Sequence, residues 1–281
     1  GITINDDKKV SYPYLLGVLN SSLLSFYLRA TSTPYQGGYI ALNRQYIDQL
    51  PIKLVDPKNK REVKLEKEIV EGVEAIQAAH RQRLNLPDAL HRKIAHSQNR
   101  TSCNLAHYLQ KDFAASVTEE KLIDDVQRTG FVHEIRLESN GNELTLTAVV
   151  ADKPADKPRA MPVLRLAFKD EALRQFIYAS WRQFLNENSR KHKWTKGKKP
   201  EPIYPLLVNL PGPLVYFNAS AGDNLRAIRD LMKSVAAEAG SADLAAIESE
   251  IKKLDTEIDQ CVYELYGLTP EEIKIVEGAA K

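Results

Sequence analysis

Apolar residues recur in steps of three and four near the end of the chain, at Leu244, Ile247, Ile251, Leu254, Ile258, Val262 and Leu265. That spacing puts one apolar stripe on a helix, close to a coiled-coil seam. Gly267 stops the helix, and Thr269 with Glu272 caps a short one beyond it. An earlier stripe, Leu65, Ile69, Val73 and Ile76, predicts a helix that runs to about Leu84 and is interrupted by Pro87. A further helix is expected from Pro87 to His96. Stripes around 65–84 and 224–266 predict two long helices that pair antiparallel, with the intervening residues emerging at the far end. The alternative is that each stripe packs on its own domain core.

Ahead of the first stripe, Ile2 and Ile4 predict a short strand. Leu15, Leu16, Leu19, Leu23 and Phe26 predict one helix from Tyr14 to Arg29. The polar, aromatic stretch Thr31–Tyr39 contains Pro34 and Gly37-Gly38 and reads as a turn region. Tyr39, Ile40 and Leu42 predict another strand, Arg44 to Leu50 a short helix stopped by Pro51, and residues 53–62 a charged linker. Between the stripes, Val117 to Thr129 reads as helical. Residues 131–137 and 143–150 alternate as strands about a hairpin turn at Asn140-Gly141-Asn142. Ala151 to Pro162 reads as a loop, Met161 to Phe168 as a third strand, and Asp170 to Asn188 as an amphipathic helix carrying Phe176, Ile177, Trp181 and Leu185.

Composition narrows the function classes. With 281 residues, 43% hydrophobic and 27% charged, the chain suits one large or two smaller cores. A formal charge of +2 means that a nucleic-acid role must rest on local patches. Cys103 and Cys261 have neither metal-ligand spacing nor a disulfide framework. They read as small buried apolar residues in a reducing cytoplasm. No apolar run reaches the ~18 residues of a membrane span, and no signal peptide is visible. The chain opens at Gly1 without a methionine, so a fragment of a longer polypeptide is expected.

No glycine-rich dinucleotide or phosphate loop, zinc-protease motif, nucleophile elbow or Asn/Asp-Pro-Pro-aromatic motif of amino-methyltransferases occurs. The triplets Glu62-Val63-Lys64 and Glu250-Ile251-Lys252 fall in charged helical or linker sequence, which argues against a nuclease site. Six histidines are scattered without ligand spacing.

Two segments remain as binding candidates. Residues 190–199 hold six Lys/Arg, Trp194 and no acid. Lys193 and Lys196 fit phosphate contact, and the Trp194 indole fits stacking; a solvated loop after a helix fits equally. In the 29–46 segment, Arg29, Arg44 and Gln45 are suited to phosphates or base edges, with Thr31, Ser32, Thr33, Tyr35 and Gln36 beside them. The alternative there is that Tyr35, Tyr39 and Tyr46 pack and the polar groups satisfy turns.

The stretch Tyr14-Leu15-Leu16-Gly17-Val18-Leu19-Asn20-Ser21-Ser22-Leu23-Leu24-Ser25-Phe26-Tyr27 resembles the leucine-leucine-asparagine-serine helix of target-recognition domains in bacterial DNA methyltransferases. Gly37-Gly38-Tyr39 and Tyr46-Ile47-Asp48-Gln49-Leu50-Pro51-Ile52 follow at the expected interval. The closing Ile258-Asp259-Gln260-Cys261-Val262-Tyr263-Glu264-Leu265-Tyr266-Gly267-Leu268-Thr269 resembles the C-terminus of the same proteins. The family is the TaqI-like C-terminal specificity domain of adenine-N6 methyltransferases and fused type IIG restriction–modification enzymes, with related chains in phage defence.

The resemblance covers roughly residues 10–84 and 244–275. With the residue patterns, it implies an α+β fold: the C-terminal part of a target-recognition domain at 1–55, a linker and helix of the pair at 56–99, an inserted mixed α/β module at 100–220, and the second helix and tail at 221–281. It implies that this chain contacts double-stranded DNA, through Arg29, Arg44, Gln45, Lys193, Trp194 and Lys196, and does no chemistry alone. Catalysis is expected upstream, in a methyltransferase domain of the same polypeptide that binds S-adenosylmethionine and flips an adenine. No cofactor, metal or membrane is expected for the chain itself. The competing readings are a helical protein-docking module without direct DNA binding, and a nuclease within 100–220.

Overall fold

The computed structural model describes residues 10–33, 43–95, 100–104, 117–121, 129–153, 155–192, 201–202, 211–216 and 220–279. Two helices, α1 (Tyr12–Asn20) and α2 (Ser22–Thr31), stand where the hydrophobic spacing predicts one. Ser21 separates them: its backbone is extended, its Oγ donates to the Val18 carbonyl at 2.7 Å, and the same Oγ accepts from the Leu24 N–H at 3.3 Å. A serine is suited to this because it satisfies groups at both helix ends, which Leu or Ala does not. After α3 (Arg44–Ile47) the chain is irregular until α4 (Lys60–Ala95).

α4 is one helix of 36 residues and continues through Pro87, against the expected break. The proline removes one backbone donor and crowds the preceding turn. Burial of Leu86, Ala89 and Leu90 on either side of it offsets that cost. The strands follow: β1 (Arg100–Asn104), β2 (Val117–Lys121), β3 (Thr129–Asn140), β4 (Glu143–Ala151) and β5 (Arg159–Phe168). Then come α5 (Glu171–His192), β6 (Glu201–Pro202), β7 (Pro211–Tyr216), α6 (Ala221–Ala239), α7 (Leu244–Tyr266) and α8 (Pro270–Ala279). Mixed helix and antiparallel sheet make the fold α+β. The stripe expected over 224–266 is two helices, parted at Gly240, whose φ of 81° is a left-handed position that favours glycine.

The chain forms two compact units, and the boundaries fall inside α4 and inside α7. The first comprises residues 1–81 and 248–281. Its core joins Tyr14, Val18 and Leu24 to Leu65, Ile69 and Val73 of α4 and to Ile258, Val262 and Leu265 of α7. The two long helices run antiparallel here. Arg61 meets Glu264 at 2.7 Å, Glu68 meets Cys261, and a Cβ at Gly72 would meet Ile258. α1 lies so close to α4 that a Cβ on Gly17 would sit 2.6 Å from Ile69 Cγ2 and 3.0 Å from Val73 Cγ2.

The second unit comprises residues 82–247. Its sheet has the order β2-β5-β4-β3-β6, with antiparallel pairing between neighbours. The expected hairpin is present, with Asn140 opposite Glu143 and Gly141 at φ 58°. Val117–Lys121, expected to be helical, is instead an edge strand paired with Phe168–Leu164. Val117 is buried in that register, and the β-branched Val-Thr start favours a pleated surface. Leu173, Phe176, Ile177, Trp181 and Leu185 of α5 share a core with the sheet's inward residues and with Ile228, Met232 and Val235 of α6. Arg174 is 4% exposed and bonds Glu171, Ser139 and Asp243, tying the start of α5 to β3 and to the residue before α7. The expected strands at Ile2–Ile4 and Tyr39–Leu42, and the turn at Pro34–Gly38, lie outside the described residues.

Candidate nucleic-acid interface

The two segments that carry the sequence resemblance meet in the first unit. Asp259 of α7 accepts two hydrogen bonds from Ser22, at 2.8 Å from the backbone N–H and 2.7 Å from the hydroxyl. A carboxylate there also complements the positive end of α2. Two helical turns further on, Tyr266 donates from its hydroxyl to the Pro51 carbonyl at 2.7 Å and accepts from the Lys53 N–H at 3.0 Å. Lys53 Nζ donates to the Leu265 carbonyl at 2.7 Å and pairs with Glu62 at 3.1 Å. The Lys53 carbonyl accepts from the Tyr14 hydroxyl at 2.8 Å. Burial, helped by nearby Tyr266, pushes the Tyr14 phenol well above its ordinary range, so it remains a donor. Lys53, expected to begin a charged linker, is thus anchored at several atoms, as is Pro51. The asparagine of the motif serves its own helix, with Asn20 Nδ2 donating to the Leu16 carbonyl at 2.9 Å.

A cleft of about 570 Å³ opens beside the clasp, lined by Asn20, Ser22, Gln77, His80, Asp255 and Asp259 among others. The Asp255 carboxyl is held above its usual range by burial first and by the Asp259 carboxylate second, while His80 opposes both. Among the described residues no three His, Cys, Asp or Glu side chains converge as a metal site. Cys261, expected to be buried, is half-buried on α7. Its thiol donates to Glu68 at 3.8 Å and is pushed up to about 11, by burial first and Glu68 next.

Three of the six expected DNA-contact residues fall in the described part of this unit. Arg29 is exposed in the last turn of α2. Arg44 and Gln45 are exposed at the start of α3, and Arg44 Nε pairs with Asp48 at 3.1 Å across one turn. Such an exposed pair contributes little and is readily exchanged for a phosphate. Thr33 Oγ1 lies 2.5 Å from the Tyr46 hydroxyl, and Tyr27 donates to the Gln49 carbonyl at 3.5 Å. These contacts join the end of α2, which carries Arg29, to α3, which carries Arg44 and Gln45. The Thr33 hydroxyl lowers the Tyr46 phenol from its ordinary value. Lys193, Trp194 and Lys196 lie outside the described residues.

The clasp residues carry the fit between the two resembling segments, and comparison with known proteins covers the first of them. Residues 1–52 match the TaqI-like C-terminal specificity domain. No curated protein and no solved structure matches the chain. The matched stretch ends at Ile52, one residue before the anchored Lys53, and Tyr14, Val18 and Leu24 within it pack on α4 and α7. Sequence reasoning did not single out Ser22, Lys53, Asp259 and Tyr266 as partners. Ser22, Asp259 and Tyr266 lay inside the motifs that carry the resemblance, which was the available signal, but their pairing across more than 200 residues is a tertiary fact.

Proposed function

We propose that the chain is the DNA target-recognition region of a bacterial adenine-N6 methyltransferase or fused type IIG restriction–modification enzyme. In this reading the first unit holds duplex DNA for a methyltransferase domain upstream in the same polypeptide. That domain supplies S-adenosylmethionine chemistry, and this chain contributes none of its own. The match of residues 1–52 to a specificity domain carries the reading. The Thr33–Tyr46 contact between the end of α2 and α3 supports it, because those elements carry two guanidiniums and an amide, of Arg29, Arg44 and Gln45, at exposed positions. The arginines suit phosphates and guanine edges, and the amide of Gln45 suits adenine. The basic stretch at 190–199 would add sequence-independent phosphate contacts. No helix among the described residues is long and apolar enough to cross a membrane.

The test is a fluorescence-anisotropy titration of the full chain with duplex DNA at two salt concentrations. Specific binding is expected. Replacing Arg29 and Arg44 by alanine together should lower the salt slope by about 0.9 for each phosphate that is no longer neutralised. Replacing Lys193, Lys196, Lys198 and Lys199 by alanine should lower it further; an unchanged slope removes that stretch from the interface. One feature favours the protein-docking alternative: a largely apolar groove of about 850 Å³ between residues 68–75 of α4 and 253–261 of α7. If duplex binding fails and no salt dependence is seen, that groove becomes the better functional surface.

A further inference from the structure

Ser21 makes α1 and α2 separate rods, because its extended backbone interrupts the helical bonding between them. The direction of α2 is therefore set by what grips it from outside. Leu24 and Leu28 seat one face in the unit's interior, and α8 packs along the helix. At the N-terminal end both carboxylate oxygens of Asp259 are spent on one residue, Oδ1 on the Ser22 N–H and Oδ2 on its hydroxyl. A bidentate, charge-assisted grip of this kind fixes angle as well as distance. At the other end of α2 are Arg29 and Thr33, and through the Thr33–Tyr46 contact the α3 residues Arg44 and Gln45.

We propose that Asp259 is a positioning residue for DNA recognition: by clasping Ser22 it fixes the direction of α2 and thereby the placement of Arg29, Arg44 and Gln45. The inference rests on the DNA-recognition reading above and adds a determinant from the far end of the chain, 237 residues after Ser22. It differs from a simple charge effect in sign. Removing an acid makes the protein more positive, which by itself tightens duplex binding; loss of positioning weakens it.

The experiment compares Asp259→Ala with Asp259→Asn in the full chain. Both remove the charge, but asparagine can still accept from the Ser22 N–H and donate to its hydroxyl, whereas alanine can do neither. Hydrogen exchange over residues 22–33 and 60–81 is read beside anisotropy with a fluorescein-labelled random-sequence duplex. Asp259→Ala should speed exchange over 22–28, leave 60–81 protected, and weaken binding roughly tenfold, the loss of a charged hydrogen bond. Asp259→Asn should bind within about threefold of the wild type, since only the charge assistance is lost. Tighter binding by Asp259→Ala, or equal binding by both variants, overturns the proposal. If Asp259→Ala unfolds the unit and 60–81 also loses protection, the asparagine variant decides: retained binding supports the clasp and lost binding in a folded unit overturns it. If the wild-type chain binds no duplex, the DNA reading fails and the recognition role with it. Exchange over 22–28 in Asp259→Ala then still shows whether the clasp holds α2.

Discussion

Gly17→Ala is the sharpest perturbation of how α1 is seated against α4. The new Cβ would lie 2.6 Å from Ile69 Cγ2 and 3.0 Å from Val73 Cγ2, both on α4. Carbon atoms pack at about 3.5–4.0 Å, so α1 or α4 must give by roughly 1 Å at the nearer contact. Ile69 is fully buried and β-branched on a helix, which leaves its methyl without an alternative rotamer to occupy. Overpacking of this kind costs about 1–3 kcal/mol. Alanine recovers up to about 1 kcal/mol of helix propensity over glycine. The net expectation is a loss of about 1–2 kcal/mol.

Urea titration with peptide-resolved hydrogen exchange over 12–20 and 60–81 reads this loss in the first unit alone. Trp181 lies in the core of the second unit, so its fluorescence would not report this loss. Ile69→Ala opens the space that the new methyl needs. The double variant should therefore be more stable than the two single losses add up to, by at least about 0.5 kcal/mol of coupling. Stability equal to or above wild type for Gly17→Ala, or strict additivity with Ile69→Ala, refutes the close-approach argument.

Other expectations follow from the remaining contacts. In a Cys103→Ser background, Cys261 should react with a thiol reagent at pH 8 about 100-fold more slowly than free cysteine, because its thiol is pushed up to about 11; Glu68→Gln should raise that rate, and a rate like that of free cysteine contradicts the burial argument. Asp255 has a folded value above its unfolded one, so its contribution is most favourable at low pH and is lost as pH rises through the folded value. Asp255→Asn should thus melt with the wild type near pH 3 and above it near pH 7; the reverse order in a melting series would contradict the sign. Gly240→Ala forces a side chain onto a φ of 81° and should cost about 1–2 kcal/mol, read by the fluorescence of Trp181.

Legibility in the sequence followed periodicity. The α4 and α7 stripes were readable because a long run of each packs one face on the first unit's core, where Leu65, Ile69, Val73, Ile258, Val262 and Leu265 lie, while Leu244 joins the second unit's core. The β3–β4 hairpin was readable from alternation and from Asn140-Gly141-Asn142. Val117–Lys121 was not, because five edge-strand residues with three charges look helical until β5 supplies a partner. The break at Ser21 was hidden by leucines that continue on both sides of it. Pro87 misled in the opposite direction, since buried neighbours outweigh its local cost. At the site, Arg29, Arg44 and Gln45 were chosen by residue type, and their exposure fits that choice without testing their role. Asp259 and Tyr266 could not be matched to Ser22, Pro51 and Lys53 by spacing, because more than 200 residues separate them.

The most direct test of the account is hydrogen exchange of the full chain with and without saturating duplex DNA. Bound DNA should slow exchange at residues 29–33 and 44–46 while the buried faces of α4 and α7 keep the protection they already have. Protection confined to the groove between 68–75 and 253–261, or no change at 29–33 and 44–46 under conditions where anisotropy reports saturation, would contradict it.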